Sequence, residues 1–154
     1  MSDRISEHVS FKEGIKSHTA TRLNIDNAPS DLDLVNMKII AEKVFEPLRE
    51  FVGGPIAINS FYRSPKLNSA IGGSTSSQHC SGRALDIDDK YGYKTNAEMF
   101  KYIQCNLDYD QMIWEFGDVN NPDWVHVSYV SEDVNRRRCL IAYKENGKTK
   151  YKEI

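Results

Sequence analysis

The chain has 154 residues, 40% of them hydrophobic, and a formal net charge of −2. That length and apolar content are enough to build one core without disulfide staples, and the near-neutral charge leaves no basic footprint for nucleic acid or an anionic membrane. The three cysteines, Cys80, Cys105 and Cys139, are odd in number and form no Cys-x-x-Cys pair, which argues against a disulfide framework or a thiolate zinc site.

Residues 1–29 are rich in Ser, Thr, Asn and charge and read as weakly structured, with about 1–18 poorly ordered. Residues 1–20 contain no apolar stretch of signal-peptide or spanning length. The expectation is therefore a single domain over 1–154, monomeric, made in the cytoplasm, without membrane insertion and without nucleic acid as partner. If it acts outside the membrane, another agent must release it.

Ser30-Asp31 can cap a helix in which Leu34, Met37, Ala41, Val44, Phe45, Leu48, Phe51 and Val52 recur at helical spacing. Pro47 should kink or break it, and Gly53-Gly54-Pro55 ends it. Ile56–Asn59 reads as a short strand, and Ser64-Pro65 opens a brief helix closed by Gly72-Gly73. Ala84–Ile87 is extended, and Thr95 or Asn96 caps a helix running to about Asn106. Strands are predicted at Gln111–Phe116, Trp124–Val130 and Cys139–Lys144. Asn146-Gly147 turns the last of these into a final strand near Thr149–Lys152. Helices early and antiparallel strands late predict an α+β domain, a small antiparallel sheet with helices packed on one side. Arg136-Arg137-Arg138 reads as a solvated turn.

The chemistry concentrates in Ser77-Gln78-His79-Cys80-Ser81-Gly82-Arg83-Ala84-Leu85-Asp86 and in Asp123-Trp124-Val125-His126-Val127-Ser128. Zinc takes N or O ligands at roughly 2.0–2.2 Å, and a catalytic site keeps one position for water. Two imidazoles and a carboxylate, from His79, Asp86 and His126, satisfy that count. His79 leaves a loop, Gly82 lets the chain turn, and Asp86 stands on the strand that follows. His126 alternates with apolar Val125 and Val127 and so faces away from them. Asp88 and Asp89 compete with Asp86 for the carboxylate role, and the spacing from His79 favours Asp86. Cys80 reads as a bystander thiol, His8 and His18 as exposed.

These two elements resemble the D-Ala-D-Ala carboxypeptidase and L-alanyl-D-glutamate peptidase superfamily of zinc enzymes, whose fold is shared with the Hedgehog signalling domain. The resemblance runs roughly from Thr19 to Val130. It includes Thr21–Asn27, Phe61-Tyr62-Arg63-Ser64 and Asp110–Gly117, and it looks like the branch common in phages and prophages. It implies one Zn2+ per chain held by His79, Asp86 and His126, with Arg63 and Ser77 meeting the substrate. The implied activity is a metallopeptidase cutting peptidoglycan stem peptides, as a D,D-carboxypeptidase or an L-Ala–D-Glu endopeptidase, in a phage lysis protein or virion component. A non-catalytic zinc-bearing binding module and a metal-free binding domain are the competing classes.

Two acids compete for the general base. The superfamily often places one three residues before the last histidine, here Asp123. The phage-like branch carries Glu-Phe-Gly, here Glu115, although Asp118–Pro122 separates that piece from Trp124. If the strands at 111–116 and 124–130 pair antiparallel, Glu115 can share the His126 face, whereas Asp123 has the opposite parity. That favours Glu115.

Overall fold

A computed structural model describes residues 4–154. Its main feature is a six-stranded sheet made of β3 (Ala57–Ser60), β4 (Ala84–Asp88), β5 (Gln111–Glu115), β6 (Trp124–Ser128), β7 (Arg138–Glu145) and β8 (Lys148–Glu153). Their spatial order is β3-β4-β6-β5-β7-β8. All neighbours pair antiparallel except β5 and β7, which run parallel. The expected small antiparallel sheet is thus a larger mixed one.

The reason lies in which edges are free. β6 has β4 on one side and β5 on the other, which leaves the outer edges of β3 and β5, and the next strand takes that of β5. Residues 129–137 carry the chain back to the start of β5, and the strand therefore leaves in the same direction. Asp110, just before β5, pins this return. It accepts hydrogen bonds from the Arg136 main-chain N–H, Nε and Nη2 at 3.0, 3.1 and 2.8 Å. Arg137 pairs with Asp108 and Arg138 with Glu153. The arginine run follows a turn with its side chains exposed, as expected, and each is also ion-paired.

One sheet face carries Leu85, Ile87, Met112, Val125 and Val127 into the main core. It is covered by α3 (Asp31–Ile40), α4 (Glu46–Val52) and α6 (Asn96–Asn106), which contribute Met37, Ile40, Leu48, Met99 and Ile103. Ser30 and Thr95 cap α3 and α6 with reciprocal capping boxes. The break expected at Pro47 takes the form of a π-helical stretch, Ala41–Phe45, between α3 and α4. The widened turn places Pro47 in the first turn of α4, where a missing N–H costs little.

The N-terminal expectation needs correcting from residue 4 onward; residues 1–3 lie outside the described part. β1 (Arg4–Ser6) and β2 (Val9–Ser10) pair, followed by α1 (Phe11–Ile15) and α2 (His18–Leu23). Ile5 and Val9 are buried in the main core. Each of these elements is too short to show a period, so a polar composition masked them. Asn27, also buried, ties this segment to the next: its Nδ2 donates to Ile15 O and Tyr62 O, and its Oδ1 accepts from Ser64 N–H at 2.7 Å. Those bonds bracket Arg63. α5 (Pro65–Ala70) then starts at the Ser64 cap.

Candidate metal centre and active site

The sheet face opposite the helices is open, and its register fixes what stands there. Asp86 pairs with His126 across β4 and β6, and His126 with Ile113 across β6 and β5. Side chains alternate along a strand, so Glu115, two residues beyond Ile113, faces the same side.

His79 reaches this face from a 3-10 turn, Gln78–Ser81. Ser77 Oγ accepts from His79 N–H at 3.2 Å, and Gly82 ends the turn at φ +73°. A Cβ at Gly82 would stand 2.5 Å from the Asp33 carbonyl oxygen, so glycine is required both by the backbone angle and by the close approach to α3. Ser77 also lines the cleft.

His79 is 2% exposed, and its Nδ1 lies 2.7 Å from the Phe61 carbonyl oxygen. A carbonyl only accepts, so Nδ1 carries the hydrogen and Nε2 presents a bare lone pair. Nε2 is buried and has no hydrogen-bond partner, yet it sits 3.3 Å from Asp86 Oδ1. Burial lowers the His79 pKa, only partly opposed by Asp86, which keeps the ring neutral. A neutral imidazole lone pair facing a carboxylate oxygen needs a positive charge between them. His126 Nδ1 approaches the same Oδ1 at 2.9 Å. One ligand atom from each of His79, Asp86 and His126 lies within 4.8 Å of the others. Burial pushes the Asp86 carboxyl up, but the hydrogen bond with His126 Nδ1 works against that, and the carboxyl lies below the usual range. Two imidazoles and a carboxylate around an orphaned lone pair fit a zinc ion that keeps an open position.

The competing carboxylates are elsewhere. Asp88 Oδ1 accepts from Asn96 Nδ2 at 2.8 Å, and Asp89 serves the Gly92 turn. Cys80 is half-buried and is not part of the cluster, Cys105 is exposed, and Cys139 is buried against the Tyr109 hydroxyl. His8 and His18 are exposed as expected, with His8 paired to Glu46.

Arg63 lies behind the cluster. Its Nη2 donates to Asp86 Oδ2 at 3.3 Å, Nε to Ser60 Oγ at 3.0 Å and Nη1 to Asn68 Oδ1 at 3.2 Å. Asn68 in turn donates to Ser74 O at 2.7 Å, so Arg63 couples Asp86 to the loop after α5. Of five guanidinium N–H donors, these bonds leave two for the cleft.

The two candidate bases part company. Glu115 is 8% exposed and lines the cleft with His79, Asp86 and His126. Burial pushes its carboxyl up to about 7; the Asp86 charge adds to that, while His126 and Arg63 pull the other way. Asp123 is exposed and lines a groove with Trp114 and Val119 instead. The Asp118–Pro122 segment does not disturb the strands. Asp118 Oδ1 accepts from Asn120 and Asn121 N–H, and Asp123 N–H bonds Glu115 O at 2.9 Å, closing a compact loop.

The cleft measures about 860 Å³. One wall is the loop Gly72–Ser77, the floor includes Ile113, Phe116 and Trp124, and the other wall is the β7–β8 hairpin with Leu140, Thr149 and Tyr151. Arg136 stands at its rim, held by Asp110, which also accepts from Gln78 Nε2 at 3.0 Å. Sequence reasoning missed this second wall. Its signal was a period-2 pattern in β8, meaningless until the parallel pairing placed the hairpin beside β5.

A family model described as Peptidase M15 matches residues 7–128. Comparison with curated proteins finds no match. The matched segment includes Arg63, His79, Asp86, Glu115 and His126, and stops before β7. Since that model spans well over half of the sequence, the chain belongs to the Peptidase M15 family of D-Ala-D-Ala carboxypeptidase-like metallopeptidases.

Proposed function

We propose that the protein is a zinc-dependent peptidase hydrolysing peptide bonds of peptidoglycan stem peptides, with D-Ala-D-Ala carboxypeptidase-like activity. The observation that carries this reading is the unpartnered His79 Nε2, buried and facing Asp86 and His126 in a cleft that also holds Glu115. His79 Nε2, an imidazole nitrogen of His126 and a carboxylate oxygen of Asp86 would hold the zinc. When bound, the metal would supply a Lewis acid for the scissile carbonyl and for water at neutral pH.

The chain's own residues do the rest. The Phe61 carbonyl fixes the tautomer and ring orientation of His79. Arg63 steadies Asp86 and offers its remaining N–H donors to an oxygen of the substrate. A Glu115 carboxylate oxygen takes a proton from the attacking water and returns it to the leaving amine, and a pKa near 7 suits both halves of that transfer. The apolar side chains of Ile113, Phe116, Trp124 and Leu140 line the cleft and limit water around the reacting groups.

One observation favours a second reading, the L-Ala–D-Glu endopeptidase. Three of the Arg63 donors are committed to Ser60, Asn68 and Asp86, which suits a positioning arginine better than a receptor for a free terminal carboxylate. The site for release, as a phage lysis enzyme or virion component acting on the cell wall, rests on the resemblance alone.

Digestion of purified muropeptides by the zinc-loaded protein, followed by mass analysis, tests the proposal. Release of terminal D-alanine supports the carboxypeptidase. Scission between L-Ala and D-Glu supports the endopeptidase. Intact muropeptides with zinc bound would reject both in favour of a binding module.

A further inference from the structure

Glu115 in β5 pairs with Ala142 in β7, and Ala142 pairs with Tyr151 in β8. The three residues therefore form one row across the sheet on the metal-centre face. Neighbouring strands are about 4.8 Å apart, which puts the Tyr151 backbone roughly 10 Å from that of Glu115. Ala142, between them, is buried in a small cluster with Ile113 and Leu140 against which Phe116 packs, so the Tyr151 and Glu115 side chains flank this apolar patch. Both Glu115 and Tyr151 line the cleft.

The hairpin that presents Tyr151 is well fixed. Its turn residues Asn146 and Gly147 have φ of 52° and 76°, which suits a tight two-residue connection. Arg138 pairs with Glu153 at 2.8 Å near its open end. Lys144 Nζ donates to Thr149 Oγ1 at 2.8 Å near its tip. That bond occupies the Thr149 hydroxyl. The Tyr151 hydroxyl makes no hydrogen bond with any described residue, and its ring belongs to neither core cluster. A tyrosine that packs no core and satisfies no internal partner, on the wall of a catalytic cleft, is available to a ligand.

We infer that Tyr151 is a substrate-positioning residue, whose phenol hydroxyl donates a hydrogen bond to a backbone carbonyl of the bound peptide on the Glu115 side of the cleft. The inference rests on the peptidase reading of the same site. It goes beyond the family, because the matched segment ends at residue 128 and the hairpin lies after it. Burial and the Glu115 charge raise the pKa of the phenol, so at neutral pH the hydroxyl is a donor. A peptide seated here would be gripped from two sides, by Arg63 and the Gly72–Ser77 loop on one and by Tyr151 on the other.

The test uses the full zinc-loaded chain and a peptidoglycan stem pentapeptide ending in D-Ala-D-Ala. Wild type is compared with Tyr151→Phe and with Tyr143→Phe, a control on the same hairpin whose ring faces the other side of the sheet. Tyr151→Phe should raise KM roughly five-fold, the worth of one hydrogen bond, with kcat within about two-fold and melting temperature and zinc content unchanged. Tyr143→Phe should behave as wild type. An unchanged KM in Tyr151→Phe, or an equal rise in Tyr143→Phe, overturns the inference. If wild type does not cleave the pentapeptide, the peptidase reading fails on its own account. Calorimetric titration of the same pentapeptide into zinc-loaded wild type and Tyr151→Phe then decides the contact. A Kd roughly five-fold weaker in the variant supports it. Equal Kd values, or no binding by wild type, overturn it.

Discussion

His79 donates its Nδ1 hydrogen bond to the Phe61 carbonyl oxygen at 2.7 Å, and that single contact determines which nitrogen faces Asp86. With the other ring nitrogen stripped of hydrogen and buried 3.3 Å from a carboxylate oxygen, the pair is incomplete without a cation.

Glu115→Gln should lower kcat by about two orders of magnitude or more, the typical worth of a positioned general base, while zinc content stays at the wild-type level. Asp123→Asn should lose little, because Asp123 is exposed and lies outside the cleft. Steady-state kinetics on muropeptides ranks the two, and the opposite ranking would assign the proton transfer to Asp123.

The same carboxyl makes stability depend on pH in the metal-stripped protein. Its folded pKa, about 7, lies above its ordinary value of 4.5. The cost of burying the ionised form is therefore fully present above pH 7 and is relieved as pH falls toward 4.5. Glutamine carries no charge, so at pH 8 Glu115→Gln should be more stable than wild type by on the order of 1–3 kcal/mol. The gap should close below about pH 4.5. Denaturant melts at both pH values check this; a gap that widens on acidification would contradict it.

Arg63→Lys keeps the charge but loses the fork that joins Asp86, Ser60 and Asn68. Zinc affinity should fall about ten-fold, the low end for loss of a group that orients a ligand. Competition against a chromogenic chelator measures it. Affinity equal to wild type would mean that Asp86 is held without Arg63.

Gly82→Ala should destabilise the fold by about 2 kcal/mol, because alanine is strained at φ +73° and its Cβ would meet the Asp33 carbonyl at 2.5 Å. Since Gly82 closes the turn carrying His79, zinc affinity should fall with it. A thermal melt indistinguishable from wild type would contradict the close approach.

The legible part of this architecture is local. Gly82 between His79 and Asp86 announces a turn into a strand, and the Val125-His126-Val127 alternation shows which way His126 points. The Glu-Phe-Gly resemblance and strand parity together favoured Glu115 over Asp123, and the parity was legible because an antiparallel neighbour is a two-strand problem. The parallel pairing of β5 and β7 was not legible, since it depends on both edges of β6 being taken and on Asp110 gripping Arg136, facts distributed over the whole sheet. The second wall of the cleft, with Tyr151, was hidden for the same reason. At the N-terminus, Ile5 and Val9 supply core contacts from elements too short to carry a pattern.

The central claim is that His79, Asp86 and His126 form a zinc centre, and atomic emission analysis of purified wild type, His79→Ala and His126→Ala tests it most directly. The account predicts about one zinc per wild-type chain, as an open three-ligand site implies, and loss of most of it in both variants. A wild-type protein without zinc after loading, or a full complement in His126→Ala, would contradict it.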